Sequence, residues 1–305
     1  MRRPIRILFL CVLAIVVATA GWWALRSRDP MLQGKRGSDW IKGIAYNGDD
    51  AQTQQWRELG PDGLKLLARK LDQGRYYRKC YRWLMPRLPG QLNRTLSHQL
   101  PNPADAHPTR MCVISLLSRL GKDAKPVEPA ISRALKDDDE GVREIAVGSY
   151  NSGLLDVIGP REKVARLPAF LRAVQDKNWG IRNNAVLALG SYTNDAPTVI
   201  PALVVALHDT EMRVQLVAAE ALVHMNIQAA IKANVIPILI QILKFPNDQI
   251  AFQAAAVLGE MGKDASSAVP ALTESLKSPF ALVAQTAGIA LKKIDPEAAA
   301  AAKEK

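Results

Sequence analysis

Five prolines, Pro129, Pro168, Pro201, Pro237 and Pro270, are each followed at a constant offset of 17 by an alanine: Ala146, Ala185, Ala218, Ala254 and Ala287. The successive proline spacings are 39, 33, 36 and 33 while the interval inside each unit stays fixed, so insertions fall between units and one module recurs at least five times. Such a chain folds by stacking like units side by side. It presents a surface for partners rather than a single enclosed pocket.

The apolar positions define the module. At offsets 2 and 6 from each proline stand aliphatic or aromatic residues, Ile131 and Leu135 through Leu272 and Leu276. These positions lie on one face of a short helix with the proline in its first turn, where no backbone N–H is required. At offset 8, Asp137, Asp176 and Asp209 end this helix A and are expected to cap the next. Offsets 13, 17 and 21 then give Val142, Ala146 and Tyr150 in one unit and Ile181, Ala185 and Leu189 in another, a single helical stripe with alanine at its centre. The alanine lets the neighbouring helix B approach closely. Two short helices cannot bury both faces alone, so each pair needs neighbours. The expected fold is all-α: an α-solenoid of stacked antiparallel helix pairs.

The runs IRNNAVLALG (181–190), VQLVAAEAL (214–222), IAFQAAAVLGEMG (250–262) and VPALTESL (269–276) resemble the HEAT-repeat family, in particular the short HEAT-like repeats of phycobilin lyase subunits. The family's arginine after the first aliphatic residue of helix B stands at Arg143 and Arg182. Gln215, Ala251 and Ala284 replace it later, so a continuous ladder of Asp/Arg pairs is not expected along the array. The resemblance covers residues 122 to 294 and implies B helices lining a concave face. On that basis Arg143, Arg182, Asn183, Asn184, Gln215 and Gln253 are the candidate protein-binding residues. It implies no particular activity.

Upstream, RKCYRWLMPRL (78–88) and RMCVISLLSRL (110–120) match at Arg78/Arg110, Cys80/Cys112, Leu84/Leu116, Arg87/Arg119 and Leu88/Leu120, all in the same register one repeat period apart. They read as two degenerate units, with helix A supplied by residues 60–72 and 91–100. The organisation expected is therefore an N-terminal apolar segment (1–30), degenerate basic repeats (31–120), five regular repeats (121–294) and a polar tail (295–305). Cys80 and Cys112 occupy equivalent places in successive units, where helix spacing of about 8–10 Å is too wide for a disulfide.

Residues Ile7 to Leu25 form 19 positions without charge, flanked by arginines and bordered by Trp22 and Trp23. About 20 apolar residues match the bilayer core, and tryptophans suit its interface. The expectation is a single-pass signal anchor in a bacterial protein, with the body periplasmic or otherwise extracytoplasmic. A cleaved signal peptide ending near Ala18-Thr19-Ala20, and so a secreted protein, is the alternative.

The net charge of +11 is uneven. Residues 111–305 carry 21 basic and 21 acidic side chains, whereas residues 31–110 carry 14 against 7. Arg75, Arg78, Lys79 and Arg82 fall on one face of a helix over 75–88, opposite Tyr77, Tyr81, Leu84 and Leu88, and are candidates for contact with an anionic surface. A solvated repeat face is the plain alternative, and nucleic acid is disfavoured.

Signatures of catalysis are missing from the sequence. No His-Glu-x-x-His run, metal-ligand pair of histidines or Gly-x-Ser-x-Gly elbow occurs. The family's iron enzyme, deoxyhypusine hydroxylase, uses His-Glu dipeptides, and this chain has none. His224 is expected to be a partly buried packing residue. Gly121 and Gly262, each in Gly-Lys-Asp-Ala, should end B helices in a left-handed conformation. Asp137, Asp138, Asp139 and Glu140 open a B helix as caps. The function expected is a membrane-tethered scaffold for protein–protein interaction, without catalysis or cofactor. An auxiliary, chaperone-like enzyme subunit, or binding of anionic lipid or nucleic acid through 75–94, is the alternative.

Overall fold

The computed structural model describes residues 29–302 except 74, 101, 103–105, 155–158 and 246. The apolar segment 7–25 lies outside the described residues. Among the described residues no helix is long and apolar enough to cross a membrane. The chain forms two compact units that divide between Glu162 and Lys163.

The first unit opens with a two-stranded hairpin, β1 (Met31–Leu32) and β2 (Lys35–Arg36). Gln33 and Gly34 turn it with positive φ angles of 48° and 76°, the twist a two-residue hairpin favours. Helices α1 (Gly37–Lys42), α2 (Asp50–Glu58) and α3 (Gly60–Asp72) follow. Then come α4 (Arg75–Leu84), a 3-10 turn at Met85–Arg87, and α5 (Gly90–Gln99). Helices α6 (His107–Leu120), α7 (Glu128–Ala134) and α8 (Glu140–Ser149) complete the unit. The expected helix over 75–88 stops at Leu84 because Pro86 cannot donate to the preceding turn. The helix A segments proposed for the degenerate repeats are present as α3 and α5.

The second unit comprises α9 (Pro160–Ala173), whose first turn spans the division, α10 (Trp179–Gly190), α11 (Ala196–Ala206), α12 (Met212–Met225) and α13 (Ile227–Lys232). It ends with α14 (Val235–Leu243), α15 (Asp248–Met261), α16 (Val269–Ser275), α17 (Ala281–Ile294) and α18 (Pro296–Ala301). The B helices α10, α12, α15 and α17 pack in succession, and α12, α15 and α17 are each covered by their A helix. The extra short helix α13 accounts for the longer interval between Pro201 and Pro237. The segment after 294, expected as a polar tail, forms α18 because Asp295 caps it, accepting from the N–H groups of Glu297 and Ala298.

The repeat residues form the core. All five alanines at offset 17 are fully buried, as are Ile131, Phe170, Leu203, Leu239 and Leu272 at offset 2. A second small-residue contact joins successive B helices: a Cβ on Gly190 would come within 3.3 Å of Ala221, and one on Gly259 within 3.0 Å of Ala290. The close approach anticipated at the alanine therefore has a second seam, where glycine at offset 22 meets alanine of the next repeat.

Three local expectations are corrected. Pro168 and Pro201 lie inside α9 and α11 rather than in their first turns, because both helices start earlier. Both prolines are exposed, so the carbonyl each leaves without a donor can face water. Gly121 and Gly262 do have positive φ (53° and 58°), but ψ is −116° and −137°, outside the left-handed helical region. This matches the first central position of a type II′ turn, which demands glycine. Finally, the offset-8 aspartates do not cap helix B. Asp139 and Asn178, two positions later in their units, accept from the helix amides, and Asp137, Asp176 and Asp209 accept the N–H two positions on.

Candidate functional site

That short turn leaves the second carboxylate oxygen of the aspartate available to arginine. In the second unit Arg182 of α10 binds Asp209 through two bonds, Nε to Oδ2 at 2.6 Å and Nη2 to Oδ1 at 2.7 Å. Arg182 also donates through Nη1 to the carbonyl of Asp176 in its own repeat. Arg143 does the same to Asp137, and Gln215 to Asp209. Gln215 keeps the bond within the repeat. The position for a next-repeat aspartate is Phe245, so the rung is lost at both ends together. The Arg182 guanidinium is held above its ordinary pKa by its hydrogen bonds to Asp209, against a smaller opposing effect of burial. For Asp209 burial pushes upward, and Arg182 and the Glu211 amide outweigh it, leaving the carboxyl below its usual value.

In the first unit the same motif becomes a node. Arg110 of α6 precedes Asp137 by the same interval that separates Arg182 from Asp209, and its Nη1 is 2.7 Å from Asp137 Oδ1. Arg78 of α4 places Nη2 3.1 Å from Asp137 Oδ2 and donates through Nη1 to the carbonyl of Gln73. Asp139 takes His107 Nδ1 at 2.6 Å, with Arg82 and Arg110 nitrogens at 4.0 and 3.7 Å. Arg110 is 1% exposed and Arg78 3%, so two guanidinium groups are held inside the unit by one turn. Burial and the neighbouring Arg110 charge lower the Arg78 pKa, against Asp137. Burial raises Asp137, but its contacts with Arg110, the Asp139 amide and the Arg78 charge leave it depressed.

Arg78 was expected on an exposed basic stripe; it is buried. Arg78, Tyr81, Met85 and Leu88 share one inward face, and an acidic partner waits there. Lys79 and Arg82 are exposed as expected, and the Arg75 side chain lies outside the described residues. The signal for the node was the register itself. Arg78, Arg110, Arg143 and Arg182 each stand three and seven positions before a pair of inward residues: Tyr81 and Met85, Val113 and Leu117, Ala146 and Tyr150, Ala185 and Leu189. The periodicity of one helix taken alone does not reveal it.

The second unit presents a different feature. Offsets 12, 16, 19 and 23 fall on one outward face of each B helix. Helix α12 shows Arg213, Glu220 and His224 there; α15 shows Gln249, Gln253 and Glu260; α17 shows Leu282, Ile289 and Lys293. Neighbouring helices are tied across it by Arg213 to Gln249 at 3.1 Å and His224 Nε2 to Glu260 at 2.7 Å. His224 is thus an exposed pairing residue, not the packing residue expected. Leu187 of α10 joins the face at offset 19, and it, Leu282 and Ile289 are each 43–49% exposed. Of the candidate binding residues, Gln253 is exposed on this face, Asn183 and Asn184 are half-buried, and Arg143, Arg182 and Gln215 are engaged in the hydrogen bonds above. Among the described residues no cluster could hold a metal. Cys80 and Cys112 are free thiols.

Residues 155–233 match the family of HEAT repeats, and residues 224–262 match the Armadillo/beta-catenin-like repeat. Residues 155–262 are thus HEAT/armadillo repeats. The armadillo match falls on the repeat that contains α13, the short third helix by which armadillo units differ from helix pairs. Among curated proteins, the eIF-2-alpha kinase activator GCN1 of Dictyostelium discoideum is 27% identical over 123 residues, covering 36% of this chain and 5% of that protein. Among solved structures, an engineered protein aligns with TM-score 0.49 and 17% identity over 85% of this chain and 98% of that chain. Computationally designed armadillo repeat proteins for modular peptide recognition align with TM-score 0.46 and 16% identity over 84% of this chain and 99% of that one.

Proposed function

We propose that the chain is a repeat scaffold, tethered to a membrane through residues 7–25 with its body extracytoplasmic, whose second unit docks a protein partner on the outward face of α10, α12, α15 and α17. It carries out no chemistry of its own. One observation carries this reading: the same four offsets recur in register and expose Leu187, Leu282 and Ile289 among hydrogen-bonded polar pairs. Apolar side chains exposed inside a polar rim are the usual composition of a docking surface. The short interval between regular units also suits the HEAT-like repeats of phycobilin lyase subunits as the finer lineage.

Photocrosslinking from intact membranes tests it. Benzoylphenylalanine at Ile289 or Gln253 should give a discrete protein adduct, and the same group at Val205, which is exposed on helix A of its repeat, should not. Equal adducts at Val205, or none at the B-helix positions, contradict the reading. Protease access to the body in spheroplasts tests the topology.

A further inference from the structure

Between Asp72 and Asp105 the chain has no acidic residue and six basic ones, Arg75, Arg78, Lys79, Arg82, Arg87 and Arg94. Arg78 is engaged by Asp137, whereas Lys79, Arg82, Arg87 and Arg94 are exposed. Lys79, Trp83 and Arg87 follow one another at every fourth position along one outward face, and Arg82, exposed beside them, also lies 4.0 Å from Asp139. The Arg87 guanidinium stacks 4.8 Å from the centre of the Trp83 ring, and Trp83 is 50% exposed. Helix α5 is anchored by Asn93, which donates to the Met85 carbonyl at 3.0 Å, and by Leu96 and Leu100 packed on Leu84, Met85 and Leu88. Leu92 and Arg94 are exposed on its two flanks. Trp83 thus stands exposed among Lys79, Arg82 and Arg87, and Leu92 and Arg94 are exposed on the helix that follows.

We infer that this surface of α4 and α5 lies against an anionic phospholipid bilayer, the cations on lipid phosphates and Trp83 and Leu92 at the headgroup level. Cations attract anionic headgroups, and an indole, with its apolar ring and single N–H, partitions to the interface. Position in the chain favours lipid over nucleic acid. Asp29, the first described residue of this unit, lies four positions after Leu25, a reach of roughly 14 Å when extended. The inference rests on the membrane reading of residues 7–25, which would keep this unit beside the bilayer.

The test uses the full chain carrying benzoylphenylalanine at Trp83 or, separately, at Leu92, mixed with phosphatidylcholine vesicles with and without phosphatidylglycerol. Flotation reports membrane association and photolysis reports lipid adducts. Adducts at both positions should rise with phosphatidylglycerol and fall by an order of magnitude or more in Lys79→Glu/Arg94→Glu, since each cation near an anionic surface carries about a fivefold gain. Neither side chain forms an ion pair among the described residues, so folding should be preserved; circular dichroism checks this. Lys263→Glu/Lys277→Glu, which makes the same change of net charge on the second unit, should leave the adducts intact. Flotation on neutral vesicles with no headgroup-dependent adduct overturns the inference while sparing the anchor. Flotation only on anionic vesicles supports the surface and removes the anchor. No flotation on either overturns both. Binding of a single-stranded oligonucleotide that depends on Lys79 and Arg94, without lipid adducts, also overturns it.

Discussion

The aspartate that follows helix A plays different parts in the two units. At Asp209 it serves one arginine, bidentately, and ties one repeat to the next. Asp137 takes two arginines from two helices, Arg78 and Arg110, while Asp139 beside it adds His107 and a second contact with Arg110. The regular array holds its repeats by apolar seams and by the Arg182–Asp209 rung. Around α4, whose buried apolar contacts are Leu84, Met85 and Leu88, several buried charges gather on one turn instead. Buried ion pairs add little net stability when intact, but removing one partner strands the other.

The comparison breaks most visibly at Asp137. Asp137→Asn should cost about 3–5 kcal/mol, because it leaves buried guanidinium groups without a counter-charge, and urea denaturation should show the loss in the first unit. Arg182→Ala should cost about 2 kcal/mol, the scale of charge-assisted hydrogen bonds, with the loss confined to the second unit. Gly259→Ala should cost about 1–3 kcal/mol by forcing apart α15 and α17, since the nearest atoms include backbone. Removing His224 from its exposed pair with Glu260 should change stability by less than about 1 kcal/mol.

Acid sharpens the same contrast. Both Asp137 and Asp209 have folded pKa values below their unfolded ones, so the stability they confer is present above the unfolded carboxylate pKa of about 3.9 and is lost as pH falls through the depressed values. Urea midpoints should therefore fall between pH 5 and pH 3 by more in the wild type than in Asp137→Asn.

The repeat, its helical faces and its alanine seam were legible in the sequence because they depend on local periodicity: offsets 2, 13, 17 and 21 are buried in every regular unit. The charged contacts were not, because their partners are far apart in the chain, as Arg182 is from Asp209 and Arg78 from Asp137. A helical wheel places Arg78 with Lys79 and Arg82, and only the neighbouring turn makes its inward direction favourable. The aspartate misread as a cap shows the same limit, since a small shift along the turn decides whether its carboxylate meets amides or arginine. The outward B-helix face was half legible: Gln253 belongs to it, whereas nothing in the sequence marks Leu187 and Ile289, apolar residues in apolar helices, as exposed.

Hydrogen exchange on Asp137→Asn, compared with Asp209→Asn, tests the central claim that Asp137 binds α4, α6 and the start of α8 into one cooperative node. Protection should fall together in α4, α6 and α8 for Asp137→Asn, and only around α10 and the turn into α12 for Asp209→Asn. A loss confined to α8 in Asp137→Asn would contradict it.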